Sequence, residues 1–189
     1  LSSITVDPSN TYFKDISGVL FNTSGTTLIQ YPRDNTRTSY EIPEGVTSIG
    51  AGAFQTTAHL TSVTIPESVT SIEEQAFAFD SNISFTFAEG CVINSVGDNA
   101  FESSNLTEIP INFDNLGQSN IPSSAGPNRT IGGKTGVNII AGFDASSTGT
   151  SILSRTFVQD NLGAATGVSL KGYTRIGGQA FKNVTGLTS

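Results

Sequence analysis

Apolar and polar residues alternate along this chain in short bursts, and the bursts recur. In Leu60-Thr-Ser-Val63-Thr-Ile65-Pro66 the apolar Val63 and Ile65 point one way. Ser62 and Thr64 then face the other, because successive side chains of a strand alternate. Pro66 has no N–H to continue a ladder, so the strand ends there. Val69 and Ile72 re-enter the core on the return, Ala76 and Phe77 fill it from the opposite wall, and a polar loop leads back to Ile83. The same order recurs with Phe85 and Phe87, with Leu106, Ile109 and Ile111, and more weakly with Val137 and Ile139, then with Ile152 to Phe157 followed by Val168 and Leu170. At Phe85 and Phe87 a lost residue and the added segment 89–93 cancel, which restores the period.

The repeat is also visible as copied text. Residues 46–54 (VTSIGAGAF), 69–77 (VTSIEEQAF) and 173–181 (YTRIGGQAF) are near duplicates, and 95–101 (SVGDNAF) is a looser fourth. Phe54, Phe77 and Phe101 follow one another at steps of 23 and 24, and Phe157 and Phe181 again at 24. Such a period predicts a solenoid of stacked 23–24-residue coils, about six of them, mostly β with short turns or helical segments on the convex side. Phe54, Phe77, Phe101, Phe157 and Phe181 share a coil position, which predicts one buried stack.

Two segments break the rhythm. Residues 7–40 hold Gly18-Val-Leu-Phe21, a turn-like Asn22-Thr-Ser-Gly-Thr and Leu28-Ile-Gln-Tyr31, which read as a β-hairpin insertion near the N-terminus. Residues 112–134, with Pro122, Pro127 and several Gly, Ser and Asn, read as an irregular loop, functional or an eroded repeat. The expectation is a single solenoid over 1–189. It opens in mid-repeat at Leu1-Ser-Ser-Ile4-Thr-Val6 and stops where another strand should begin, as a fragment of a longer chain would, and its open ends predict end-to-end self-association.

These residues carry a specific resemblance. The runs Ile42 to Phe54 (IPEGVTSIGAGAF) and Leu60 to Ile72 (LTSVTIPESVTSI), with the Asn10, Phe13, Gly18 to Asn22, Leu28, Ile29, Tyr31 and Pro32 pattern before them, resemble the BspA-like, Treponema-type leucine-rich repeat. Pro66 after the strand, where commoner leucine-rich repeats carry Asn, strengthens that subtype. The resemblance implies a secreted or cell-surface protein that binds host matrix or serum proteins or other cells, anchored by a part of the chain not present in this sequence. It brings no catalytic motif and no ligand residue that transfers by position.

Composition narrows the partners. The formal net charge is −7 and 13% of residues are charged, with Ser and Thr making up most of the polar surface. Acidity of this kind repels phosphate backbones and anionic lipid, so neither nucleic acid nor a membrane surface is expected as a partner. No apolar run reaches the roughly 20 residues of a membrane-spanning helix, so no membrane insertion is expected. Five N-x-S/T sequons, at Asn22, Asn82, Asn105, Asn128 and Asn183, are unsurprising in so Ser- and Thr-rich a chain.

Catalytic chemistry lacks its parts. His59 is the single histidine and sits in a polar loop, so any Ser-His-Asp triad or zinc site would hang on it. Cys91, the single cysteine, reads as a small buried hydrophobe. Gly132-Gly133-Lys134-Thr135 resembles the end of a phosphate-binding loop, but the first glycine of that motif would fall at Asn128. Glu73 and Glu74 are adjacent and point apart, unlike the facing carboxylates of a glycosidase. No enzyme, cofactor or metal is expected. The expected function is an extracellular protein-binding or adhesion module whose outward strand positions, Thr5, Ser62, Thr64, Ser84, Thr86, Glu108, Asn138 and Ser169, form the contact ladder. A structural stalk and a non-catalytic accessory domain of a surface enzyme are the alternatives. An adhesin should gather aromatic or charged residues on one face, with Tyr12, Tyr31, Tyr40 and Phe143 as candidates, whereas a stalk should be evenly polar.

Overall fold

The computed structural model describes residues 1–112 and 130–142, together with the strand residues 152–153, 168–170 and 175–176. The long strands of the repeat stack in parallel. β4 (Ser39–Glu41), β6 (Ser62–Ile65) and β8 (Ser84–Phe87) form one three-stranded sheet in that order. Register sets Tyr40 beside Val63 and Val63 beside Phe85. Val63 and Ile65 are fully buried while Ser62 and Thr64 between them are not, as strand alternation requires.

On the return path the chain makes turns and two-residue strands, with no helix among the described residues. β5 (Ser48–Ile49), β7 (Ser71–Ile72) and β9 (Ser95–Val96) ladder in parallel, with Ile49, Ile72 and Val96 buried. The predicted hairpin is present as β2 (Val19–Asn22) and β3 (Thr27–Gln30), and β1 (Phe13–Ile16) adds an antiparallel strand outside it. This insertion is no appendage, because β3 pairs with β5 and so heads the return-path sheet. Asn22 holds the hairpin turn, its Nδ2 donating to Thr26 Oγ1 at 3.0 Å and its Oδ1 accepting from the Thr27 N–H at 3.0 Å.

Between the two sheets runs a column of aromatic rings. Tyr31 stacks on Phe54 (centroids 5.2 Å), Phe54 on Phe77 (4.8 Å) and Phe77 on Phe101 (5.6 Å), all four fully buried. Phe157 and Phe181, expected in the same column, lie outside the described residues. The backbone repeats with the rings: the N–H groups of Tyr31, Phe54, Phe77 and Phe101 donate to the carbonyls of Ala53, Ala76, Ala100 and Gly132, at 2.7–2.8 Å. Each coil also carries two residues in the left-handed region, at Gly52, Gln75 and Asn99 and at Thr56, Phe79 and Ser103.

Coil length holds and then changes. Ser39 to Ser62 is a step of 23 and Ser62 to Ser84 a step of 22. On the return path Ser48 to Ser71 is 23 and Ser71 to Ser95 is 24. The residue lost before β8 is more than regained after it: Cys91 packs under Val69 with its thiol donating to the Val69 carbonyl at 3.8 Å, and the two residues Val92 and Ile93 follow without counterparts in the coil below, which takes the step from 22 to 24. β10 (Glu108–Asn112), β11 (Asn138–Gly142) and β13 (Val168–Leu170) then make a second parallel sheet, with Ile109 beside Ile139 and Ile139 beside Val168, spacings of 30 and 29. β12 (Ile152–Leu153) pairs with β14 (Arg175–Ile176), again 23 apart. The irregular loop expected at 112–134 falls mostly outside the described residues. Its end, from Ile131 to Lys134, is a tight turn closed by two backbone bonds.

Candidate functional site: the outward face of the parallel sheet

Strand register sorts the predicted ladder into rungs. Ser39, Ser62 and Ser84 form one rung, and Glu41, Thr64 and Thr86 the next. Glu108 and Asn138 share a rung of the second sheet, and Ser169 pairs one rung further on, with Ile140. Ser39 and Glu41, absent from the expected ladder, belong to this face because Tyr40 holds the buried slot one coil before Val63. Thr5 does not belong to it. Residues 1–6 form no strand, and Thr5 is exposed on a segment tied back by the Ile4 N–H bond to the Gly18 carbonyl and the Val6 N–H bond to Asp15.

The hydroxyls on and beside this face do two different jobs. At the entrance to each strand, Thr61 donates to the Thr38 carbonyl (2.9 Å) and Ser84 to the Thr61 carbonyl (3.0 Å), and on the return path Thr70 donates to Thr47 (3.4 Å) and Thr47 to Thr26 (3.3 Å). These hydroxyls stitch coil to coil. Ser84 is therefore committed to the scaffold, whereas the hydroxyls of Ser62, Thr64 and Thr86 make no hydrogen bond among the described residues. Glu41 and Glu108 are exposed and place acid on the face.

The candidate aromatics divide. Tyr31 and Tyr40 are in the core, their rings 5.1 Å apart edge to face, with the Tyr40 phenol pushed up to about 12 by burial. Tyr12 is 77% exposed next to Phe13 on β1, away from the ladder. Phe143 lies outside the described residues.

Cys91 is buried beneath Val69 and His59 is exposed on a loop. Glu73 accepts from the Ser48 hydroxyl at 2.7 Å across one coil. The glycine turn resembling a phosphate loop is packed on the aromatic column: a Cβ on Gly132 would meet Val96 at 3.0 Å, Ala100 at 3.1 Å and Phe101 at 3.2 Å. No group of three or more His, Cys, Asp or Glu side chains able to hold a metal occurs among the described residues, nor any helix long and apolar enough to cross a membrane. Asp80 is buried and accepts from the Thr57 N–H (2.8 Å) and hydroxyl (3.0 Å), while its other oxygen has no partner among the described residues. Burial pushes its carboxyl up to about 6, against the two Thr57 bonds. Among the described residues no second carboxylate faces it to make an acid–base pair.

Comparison with known proteins agrees with this architecture. The BspA type Leucine rich repeat region matches residues 33–125 in 6 copies. No curated protein matches the sequence. Among solved structures, a leucine-rich repeat protein from Eubacterium ventriosum aligns over 100% of this chain and 54% of its own, with 18% identity and a TM-score of 0.57. A leucine rich cell surface protein from Faecalibacterium prausnitzii aligns over 100% of this chain and 46% of its own, with 19% identity and a TM-score of 0.54. The chain thus spans about half the length of these two proteins, and at such identities the likeness is one of fold. With its repeat, its coil length and its buried Ala-Phe column all in place, residues 33–125 are a BspA type leucine-rich-repeat region.

Proposed function

We propose that this chain is an extracellular protein-binding module, part of an adhesive cell-surface protein, and that it grips its partner with the outward face of β4, β6 and β8. One observation carries the reading. Where the hydroxyls of Thr47, Thr61, Thr70 and Ser84 bond neighbouring coils, those of Ser62, Thr64 and Thr86 stand side by side on one face without a partner among the described residues, between Glu41 and Glu108. The family and a neighbour described as a cell surface protein support the location, and leucine-rich repeats are typically non-catalytic. Host matrix proteins, serum proteins and other cells' surface proteins are the partners that fit. Solid-phase binding of immobilised fibronectin, fibrinogen and collagen to the chain tests this. Thr64→Arg with Thr86→Arg, which crowds the face without touching the core, is expected to lower binding at least tenfold, and unchanged binding overturns the proposal.

A stalk is the second reading, and a specific observation favours it. The four large exposed hydrophobics among the described residues, Leu1, Tyr12, Phe13 and Phe79, are absent from this face, so the sheet lacks the aromatic anchor common at tight interfaces. A stalk would bind none of the three proteins.

A further inference from the structure

The outward sheet is broken between β8 and β10, and the break has a chemical cause. The N–H groups of Ser84 and Ala88 point back to the preceding coil, donating to Thr61 and Ile65, so the backbones of Phe85 and Phe87 point forward to β10. Continued pairing would have residue 110 donate to the Phe85 carbonyl and accept from the Phe87 N–H. Residue 110 is proline and has nothing to donate. Its carbonyl is also taken, accepting from the Ile93 N–H at 2.8 Å, and Ile93 pairs with Ile111 in the place β8 would have filled. Among the described residues β8 therefore ladders with β6 alone, and β10 begins a new sheet.

A cleft of about 260 Å³ opens at this break, lined by Phe85, Thr86, Phe87, Ala88, Cys91, Glu108 and Pro110. Phe85 and Phe87 are only half-buried, although Val63 and Ile65, their register partners, are completely buried. Phe85 keeps its edge contacts to Phe77 and Phe101, at 5.0 and 5.5 Å, so it is anchored to the core while still lining the opening. The volume falls below the roughly 300 Å³ at which small-molecule pockets begin. It suits one or two apolar side chains. Glu108 is the one charged residue of the lining, exposed at the rim of a chain whose net charge is −7.

We propose that this cleft receives an extended segment of a protein partner, which lays an apolar side chain against Phe85, Phe87 and Pro110 and pairs an adjacent Lys or Arg with Glu108. A forward-facing strand edge without a ladder partner among the described residues orients such a segment by main-chain bonds, the way strand addition supplies affinity while pockets supply specificity. The proposal rests on the protein-binding reading above and narrows it to a basic–apolar motif at one place on the sheet.

Selection of random twelve-residue displayed peptides on the 189-residue chain, followed by fluorescence-polarisation titration of those enriched, tests it. Enrichment of Lys or Arg beside Leu, Ile or Phe is expected. Glu108→Lys, at an exposed position that leaves the core intact, should weaken these peptides at least tenfold and shift a repeat selection toward Asp and Glu, and Phe87→Ser should weaken them comparably. Tyr12→Ser, at an exposed position beside β1 and away from the ladder, should leave them within about twofold. A failure to enrich any peptide, or enriched peptides indifferent to Glu108→Lys, overturns the cleft. Peptides displaced by Thr64→Arg but not by Glu108→Lys would overturn the cleft while leaving the binding face of the preceding section standing.

Discussion

Phe54 and Phe77, one coil apart, stack with ring centroids separated by 4.8 Å and planes 14° from parallel, and each donates its backbone N–H to the alanine carbonyl of the following coil. The contact is the unit from which the solenoid is built: a coil cannot bury its own aromatic ring and must borrow a neighbour's.

Phe77→Ala removes the middle of that column. Phe77 touches Phe54, Phe101 and Phe85, so the cavity has rings on three sides that cannot all collapse into it. A loss of about 3–5 kcal/mol is expected in urea unfolding. A loss below about 1 kcal/mol would mean the column is not what couples the coils.

Asp80 gives stability an unusual pH dependence. Its carboxyl is raised in the fold to about 6 from 3.8, so the folded chain holds this proton more tightly than the unfolded one. The contribution is full below about pH 4 and is lost as pH rises through about 6. Asp80→Asn keeps an acceptor for Thr57 and cannot ionise. Its unfolding free energy should lack this decline, leaving it more stable than the parent by roughly 1–2 kcal/mol at pH 7 and no more stable at pH 4. Parallel curves for the two proteins between pH 4 and 7 would refute the assignment.

Phe79 sits at a φ of 64° and is 49% exposed, in a coil position that Thr56 and Ser103 fill in the coils on either side. Left-handed geometry strains a bulky residue, while Asn tolerates it through local hydrogen bonding. Phe79→Asn is expected to raise stability by about 0.5–1 kcal/mol, read as a higher urea midpoint at unchanged slope. A lower midpoint would show that the ring gains more by packing than its backbone loses.

Gly132→Val tests the turn that closes on Phe101. At a φ of 50°, with Val96, Ala100 and Phe101 within 3.2 Å of any added Cβ, a branched side chain strains the backbone and forces the column open. A cost of about 2–3 kcal/mol is expected in the same assay. An unperturbed midpoint would detach this turn from the core.

How much of this is legible beforehand differs from residue to residue. Phe54, Phe77 and Phe101 announce themselves because Ala-Phe recurs at a fixed step. Tyr31 belongs to the same column but is preceded by Ile29-Gln30 instead of Ala, so only its one-coil distance from Phe54 betrays it, and the same holds for Tyr40 before Val63. Alternation turns Ser62, Thr64, Ser84 and Thr86 outward, and none of the four is buried. It cannot tell that the Ser84 hydroxyl is taken by the Thr61 carbonyl, because a partner one coil away leaves no mark in the local pattern. Thr5 misleads for a related reason: alternation at Ile4 and Val6 resembles a strand, but a strand needs a neighbour to pair with. The cleft does have a signal in Pro110, a proline inside an otherwise regular strand, which marks an edge.

The bond that both Phe54 and Phe77 make from their N–H to the next coil's Ala carbonyl has a further consequence for how such a chain varies in length. Removing residues 55–77 would bring Ala78 directly after Phe54, and Phe54 would meet the Ala100 carbonyl as Phe77 does now. Nothing in that joint distinguishes the coil of Phe54 from the coil of Phe77, so these two coils are interchangeable parts for gene duplication and loss. A shift of a few residues is different. It would set rings against carbonyls and polar faces against the core, so the architecture grows and shrinks in steps of one coil and resists every step in between.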